Sequence, residues 1–116
     1  MVSSARAKRR GADRQFDLIF QALSDGTRRK LIDRLTEGPA MVTELAEPFA
    51  ISLPAVSRHL KVLEHAGLVK RSVDGRIHQC SLAARPFRDL QKWLDAYRPF
   101  WEEKLDALSR YVEADR

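Results

Sequence analysis

The sequence predicts a mostly α-helical domain that carries one small β-hairpin. Three observations predict it. Apolar residues recur at spacings of three and four along residues 13–66 and again from Arg85, the period of helices buried on one side. Two of those helices, within 43–49 and 53–65, are separated only by a tight turn at Phe49–Ile51. Asp74-Gly75 stands between two β-prone arms, a strong short-range signal for a hairpin.

Each element follows in chain order. In the first helix, residues 13–24, Phe16, Ile19, Phe20 and Leu23 share one face at i, i+3, i+4 and i+7. Ser24-Asp25-Gly26 breaks it. Asp25 or Thr27 then caps a second helix that carries Leu31, Ile32 and Leu35 and gives out at Gly38-Pro39. Thr43 caps a short third helix, TELAEPF, which cannot run far past Pro48. Ser52 is the N-cap of a fourth helix of about thirteen residues, because its hydroxyl accepts from a free first-turn amide. Pro54 falls inside that turn, where a missing N–H costs little. Gly67, after Ala66, has the place and chemistry of a left-handed residue that ends a helix.

The hairpin arms are Leu68–Ser72 and Ile77–Leu82. From Arg85 the chain reads as one long helix. Phe87, Leu90, Leu94, Tyr97, Trp101, Leu105, Leu108 and Val112 form one stripe, with Trp93, Phe100 and Tyr111 beside it, a face wider than a coiled-coil seam. Pro99 either kinks this helix or splits it at Arg98.

A length of 116 residues fits one small domain, here 13–116, preceded by a basic tail at 1–12. The tail reads as disordered, with non-specific phosphate contact as its functional alternative. The balance of 21 Lys and Arg against 16 Asp and Glu leaves +5, and the excess is local. Residues 1–14 hold five bases and one acid, and 51–81 hold five and two, whereas 15–50 and 82–116 are acidic or neutral. A basic segment of that kind makes an anionic partner plausible.

The lone Cys80 excludes an internal disulfide framework and suits a reducing cytosol. No apolar run approaches the ~18 residues of a membrane span, and the basic N-terminus lacks the apolar stretch of a secretory signal. No acid–base pair, nucleophile constellation, phosphate loop or metal cluster is legible, so neither an enzyme nor a cofactor is expected. Ser57 and His59, at i and i+2, point apart on a helix and are no catalytic pair.

The fourth helix carries the functional signal. At ~100° per residue, Val56, Leu60 and Leu63 fall in a narrow arc that must be buried. Pro54, Ser57, Arg58, Lys61 and His65 fall on the opposite arc. A short helix, a tight turn and a second helix with a basic, hydroxylated outer face make the helix-turn-helix plan. An Arg guanidinium matches guanine O6 and N7 in bidentate fashion, Ser hydroxyls serve bases or phosphates, and Lys61 suits phosphate. The helix N-terminus near Ser52 and Ala55 favours a phosphate oxygen. The hairpin acts as a wing, with Arg71 and Arg76 flanking its tip.

Helix-turn-helix, then 52-SLPAVSRHLKVLEHAGLV-69, then a basic hairpin with DGR at its tip resembles the winged helix-turn-helix of the ArsR-type bacterial repressors. The resemblance covers residues 14–112, and 22-ALSDGTRRKLIDRLTEGP-39 adds to it. It implies a cytoplasmic, nucleoid-associated homodimer joined through its first and last helices. Such a dimer binds an imperfectly palindromic operator in double-stranded DNA and represses by blocking polymerase. By matching positions it implies DNA contacts at Ser52, Pro54, Ala55, Ser57, Arg58, His59 and Lys61, and at Arg71, Gly75 and Arg76 in the wing. Metal-sensing members carry cysteines in the third helix, where this chain has 43-TELAEPF-49, or Asp and His pairs on the last helix, where no His follows His78. One Cys and three scattered His do not make a tetrahedral zinc site. The aromatic last helix resembles the metal-free branch often encoded beside a START-like protein.

Several residues keep two readings. His59, at the edge of the buried arc, is either packed inside or a phosphate contact. His65 reads as solvated and His78 as a strand side chain. Cys80 reads as a half-buried strand residue, with a redox switch as its alternative. The two aromatic stripes of the last helix predict a two-fold dimer whose joint core includes Phe16, Phe20 and Trp101, with Trp93, Tyr97, Leu105 and Leu108 at the seam. That seam suggests an effector-responsive switch, with an apolar ligand near Trp93, Tyr97 and Trp101. A protein-interaction module on the same fold is the remaining alternative.

Overall fold

The structure, a computed structural model, describes the backbone of residues 2–115 and the surroundings of side chains 6–115. The elements in order are α1 (Val2–Leu23), α2 (Gly26–Leu35), β1 (Ala40–Met41), α3 (Val42–Ala46), α4 (Leu53–His65), β2 (Val69–Asp74), β3 (Ile77–Leu82), α5 (Ala84–Asp95) and α6 (Arg98–Ala114). They form two compact units, one up to Pro86 and one from Phe87. The sequence alone suggests one domain from residue 13 with a disordered tail before it.

α1 instead begins at Val2. Ala5, Ala7, Lys8, Arg9, Arg10 and Ala12 are all strong helix formers, and Gly11 alone weakens the run by about 1 kcal/mol. Met1 lies outside the described residues. Asp25, not Thr27, caps α2: its carboxylate accepts from the Arg28 amide at 3.1 Å, which holds the carboxyl below its usual range. At α3 the cap is Met41, one residue before the helix, rather than Thr43. The Met41 amide donates to Glu44 Oε1 at 3.1 Å, so the carboxylate three residues on closes the turn.

α4 starts and stops as expected. Ser52 Oγ accepts from the Ala55 amide at 3.3 Å, and Pro54 occupies the first turn. At its other end Gly67 takes φ +79°, Leu68 donates to the Leu63 carbonyl and Gly67 to the Glu64 carbonyl, a complete Schellman motif. The core of this unit gathers Ile19, Ala22, Leu31, Leu35, Leu45, Val56, Leu60, Leu63 and Leu68.

The sheet is antiparallel, in the order β1-β3-β2. β2 runs two residues further than expected, so Asp74 pairs with Ile77 and the loop is only Gly75-Arg76. Gly75 takes φ +61° while Arg76 stays at negative φ, the pattern of a type II′ turn. β1, absent from the sequence expectation, pairs Ala40 with Cys80 and Met41 with Gln79.

In the second unit the expected single helix is split. α5 ends at Asp95, Ala96 and Tyr97 turn, and Pro99 sits in the first turn of α6, where its missing N–H is harmless. The break therefore precedes Arg98 by two residues. Trp93 and Tyr97 meet edge to face at 5.1 Å between centroids.

Candidate nucleic-acid interface

The candidate interface is built on α4. Val56, Leu60 and Leu63 are fully buried, which fixes the helix on the domain. Arg58, Lys61 and His65 on the far side are exposed, and Ser57 is half-buried beside them. Ser52 and Pro54 are exposed and Ala55 half-buried at the N-terminus of the same helix. Six of the seven α4-region positions singled out in the sequence therefore share one accessible stretch, and Gly75 and Arg76 form the exposed tip of the wing.

Two positions are placed otherwise. Arg71 does not flank the wing tip. It pairs with Cys80 near the middle of β2, its side chain is only 18% exposed, and its Nε donates to Glu64 Oε1 at 2.6 Å. It is a strut between the wing and α4. The reason is register: Arg71 sits on the sheet face shared with buried Cys80, which turns it toward the helix.

His59, 24% exposed, is likewise drawn inward. Its Nδ1 lies 3.3 Å from Arg28 Nη1 and 3.9 Å from Asp25 Oδ2. Arg28 has only donors, so its hydrogen bond needs Nδ1 unprotonated. Sequence reasoning missed the role of Arg28 and Arg29. Arg28 Nε donates to the Ala22 carbonyl at 2.6 Å and Nη2 to the Gln21 carbonyl, while Arg29 Nη1 reaches the Leu23 carbonyl at 2.6 Å. These guanidinia cap the C-terminus of α1, where cations are favoured, and Arg28 ties it to α4. Basic residues just past a helix end were the available signal.

Cys80 is fully buried rather than half-buried, and desolvation pushes its thiol above the usual range. A protonated, inaccessible thiol is a poor nucleophile, so the geometry weighs against a redox switch. His78 is an exposed strand residue. Among the described residues no three His, Cys, Asp or Glu side chains gather at a metal-binding distance. Nor is any described helix long and apolar enough to cross a membrane.

Between α3, the start of α4 and the wing lies a groove of about 470 Å³, whose walls include Leu53, Pro54, Ser57, Arg71 and Arg76. On α6, Phe100, Trp101, Leu105, Leu108, Tyr111 and Val112 are all exposed. Phe16 and Phe20 stack on α1 at 6.3 Å between centroids.

A family model described as a helix-turn-helix domain matches residues 23–72, the span from the end of α1 into β2. The chain is 38% identical over 99 residues to the HTH-type transcriptional regulator Rv2034 of Mycobacterium tuberculosis, covering 85% of this chain and 90% of that protein. It superposes on the crystal structure of the ArsR family transcriptional regulator RHA00566 with a TM-score of 0.71 at 41% identity, over 76% of this chain and 97% of the other. The chain belongs to the ArsR family of winged helix-turn-helix transcriptional regulators. The solution structure of the winged helix-turn-helix DNA-binding domain Mb0332 from Mycobacterium bovis is also similar, with a TM-score of 0.63 at 26% identity over 78% of this chain and 87% of that one. That domain is homodimeric. In this ArsR-family regulator the helix-turn-helix is α3 and α4, and the wing is β2 and β3.

Proposed function

We propose that this ArsR-family regulator is a dimeric repressor, resident on the bacterial nucleoid, that reads a two-fold symmetric operator with the outward side of α4. Ser57 and Arg58 enter the major groove, where Arg58 alone has the bidentate geometry to discriminate a guanine strongly. Lys61 and the wing-tip Arg76 hold phosphates, and the capped N-terminus of α4 adds a favourable dipole for another. His59 and Arg71 serve the interface from inside, as supports. The observation that carries the reading is the division of α4: one side wholly buried through Val56, Leu60 and Leu63, the other exposed and cationic without a carboxylate among its outward residues.

Two copies join through the exposed apolar side of α6, from Trp101 through Leu105 and Leu108, and Phe16, Phe20, Trp93 and Tyr97 also contribute to contacts with the second copy. A solvent-facing row of that kind is unusual for a lone soluble helix and normal for half of an interface. In-vitro selection of duplexes from a random pool tests the proposal. The expected result is a palindromic consensus whose half-sites lie roughly one helical turn apart. A featureless pool, with binding that vanishes near physiological salt, would instead indicate a protein-interaction module.

A further inference from the structure

The groove beneath the wing has a chemistry that DNA reading leaves unexplained. Its walls are apolar at Val42, Leu53 and Ile77, its only charged residues are Arg71 and Arg76, and no acidic side chain lines it among the described residues. A volume of about 470 Å³ lies within the ~300–1,000 Å³ of small-molecule sites, which are likewise mostly apolar with a few convergent polar groups. A bare phosphate would be a poor match for apolar walls. The Arg71 guanidinium is engaged inside, its Nε held by Glu64 and its Nη2 out of solvent, which leaves Arg76 at the exposed wing tip to meet an anion there.

We infer that the groove binds a small amphipathic carboxylate, an acid with an aliphatic or aromatic body. The apolar body lies against Leu53 and Ile77, and the carboxylate meets Arg76. The site shares Pro54, Ser57 and Arg76 with the proposed DNA interface. Its occupant therefore excludes DNA and acts as an inducer, and this second half rests on the DNA reading above.

Octanoate is a suitable probe, with octanol and octylammonium as controls for the tail and the charge. Titrated into the full-length 15N-labelled protein, octanoate should shift the amides of Val42, Leu53, Ile77 and His78 saturably. Leu18 and Val62, which line a separate groove, should stay still. Both controls should bind at least about tenfold more weakly. Ile77→Glu, at a position 54% exposed and so tolerant of substitution, should lose octanoate by about tenfold or more with its circular dichroism unchanged. Arg76→Gln should abolish the preference for octanoate over octanol. With a selected operator duplex, the apparent Kd should rise in proportion to one plus the ligand concentration over its own Kd. Absent or unsaturable shifts at the groove, or equal affinity for octanoate and octanol, would overturn the site even if DNA binding is normal. Octanoate bound in the groove with DNA affinity unchanged would overturn the inducer role. Groove binding by a protein that ignores DNA would leave the site and refute the repressor.

Discussion

Replacing Arg71 with alanine tests whether this side chain braces the wing against α4 or holds a phosphate. Sequence reading makes it a wing-tip phosphate contact, whereas the structure makes it a strut to Glu64. In Arg71→Ala the strut is cut. The pair is 2.6 Å long with side chains 18% and 29% exposed, between the solvated pairs measured at about 0.2–1 kcal/mol and the buried ones that cost about 3–5 kcal/mol when one partner is removed. A loss of about 2 kcal/mol follows, or a fall in Tm of roughly 8–16 °C for a domain of this size. Glu64→Gln should share part of that loss. The double variant should be less destabilised than the sum of the singles by about 1 kcal/mol, the signature of a direct pair.

DNA binding supplies the opposing measurement. Each phosphate contact contributes about 0.9 to the slope of log affinity against log salt, so a dimer that loses one contact per protomer loses about 1.8. Arg76→Ala should show that drop and Arg71→Ala should not, even if its affinity falls. An Arg71→Ala protein with unchanged Tm and a salt slope reduced like that of Arg76→Ala would refute the strut.

Other expectations are simpler to state. Arg58→Ala should cost about 1–3 kcal/mol on the selected operator and relax its consensus at one position, whereas Lys61→Ala should weaken operator and random DNA alike; binding titrations on both duplexes distinguish them. Gly67→Ala should destabilise by about 1–2 kcal/mol, since φ is +79° and the new Cβ would lie 3.2 Å from Gln15 Nε2. Gly11→Ala, with open space around it inside α1, should stabilise by about 0.5–1 kcal/mol, and thermal melts of both check the contrast. Leu105→Glu should give a monomer by sedimentation with its helical signal retained, because Leu105 is exposed in the single chain; a dimer unchanged by it would remove α6 from the interface.

What was legible in the sequence was what is local. α4 was read from Ser52 to Gly67 because its cap, its proline, its apolar period and its glycine stop all lie within the helix and its flanks. The hairpin was read from Asp74-Gly75 for the same reason. β1 was invisible: two residues become a strand only because Gln79 and Cys80, far along the chain, present a free edge. The partner of Arg71 was hidden because it depends on strand register, which a tip-flanking argument ignores. The split at Ala96–Tyr97 was half legible. Pro99 announces a break, but a proline is tolerated in a first turn, so the helix ends upstream of it and not at it. In the basic segment the charge argues for a solvated tail, whereas the alanines and arginines favour the helix that forms.

The two residues withdrawn from the proposed DNA face would also orient it. On α4, with Val56 at the centre of the buried arc, His59 lies roughly 60° to one side and Glu64 roughly 80° to the other. Each is held by an arginine from a different element, His59 by Arg28 of α2 and Glu64 by Arg71 of β2. Apolar packing between them is non-directional and tolerates a small rotation of the helix; paired polar contacts at both edges do not. Such a rotation would move Arg58 off a base edge while leaving Lys61 within reach of some phosphate. Combining His59→Gln with Glu64→Gln should therefore lower the ratio of operator to random-DNA affinity about tenfold or more, with non-specific affinity nearly unchanged. If the ratio survives while stability falls, the clamps hold the fold only, and the apolar arc alone aims the helix.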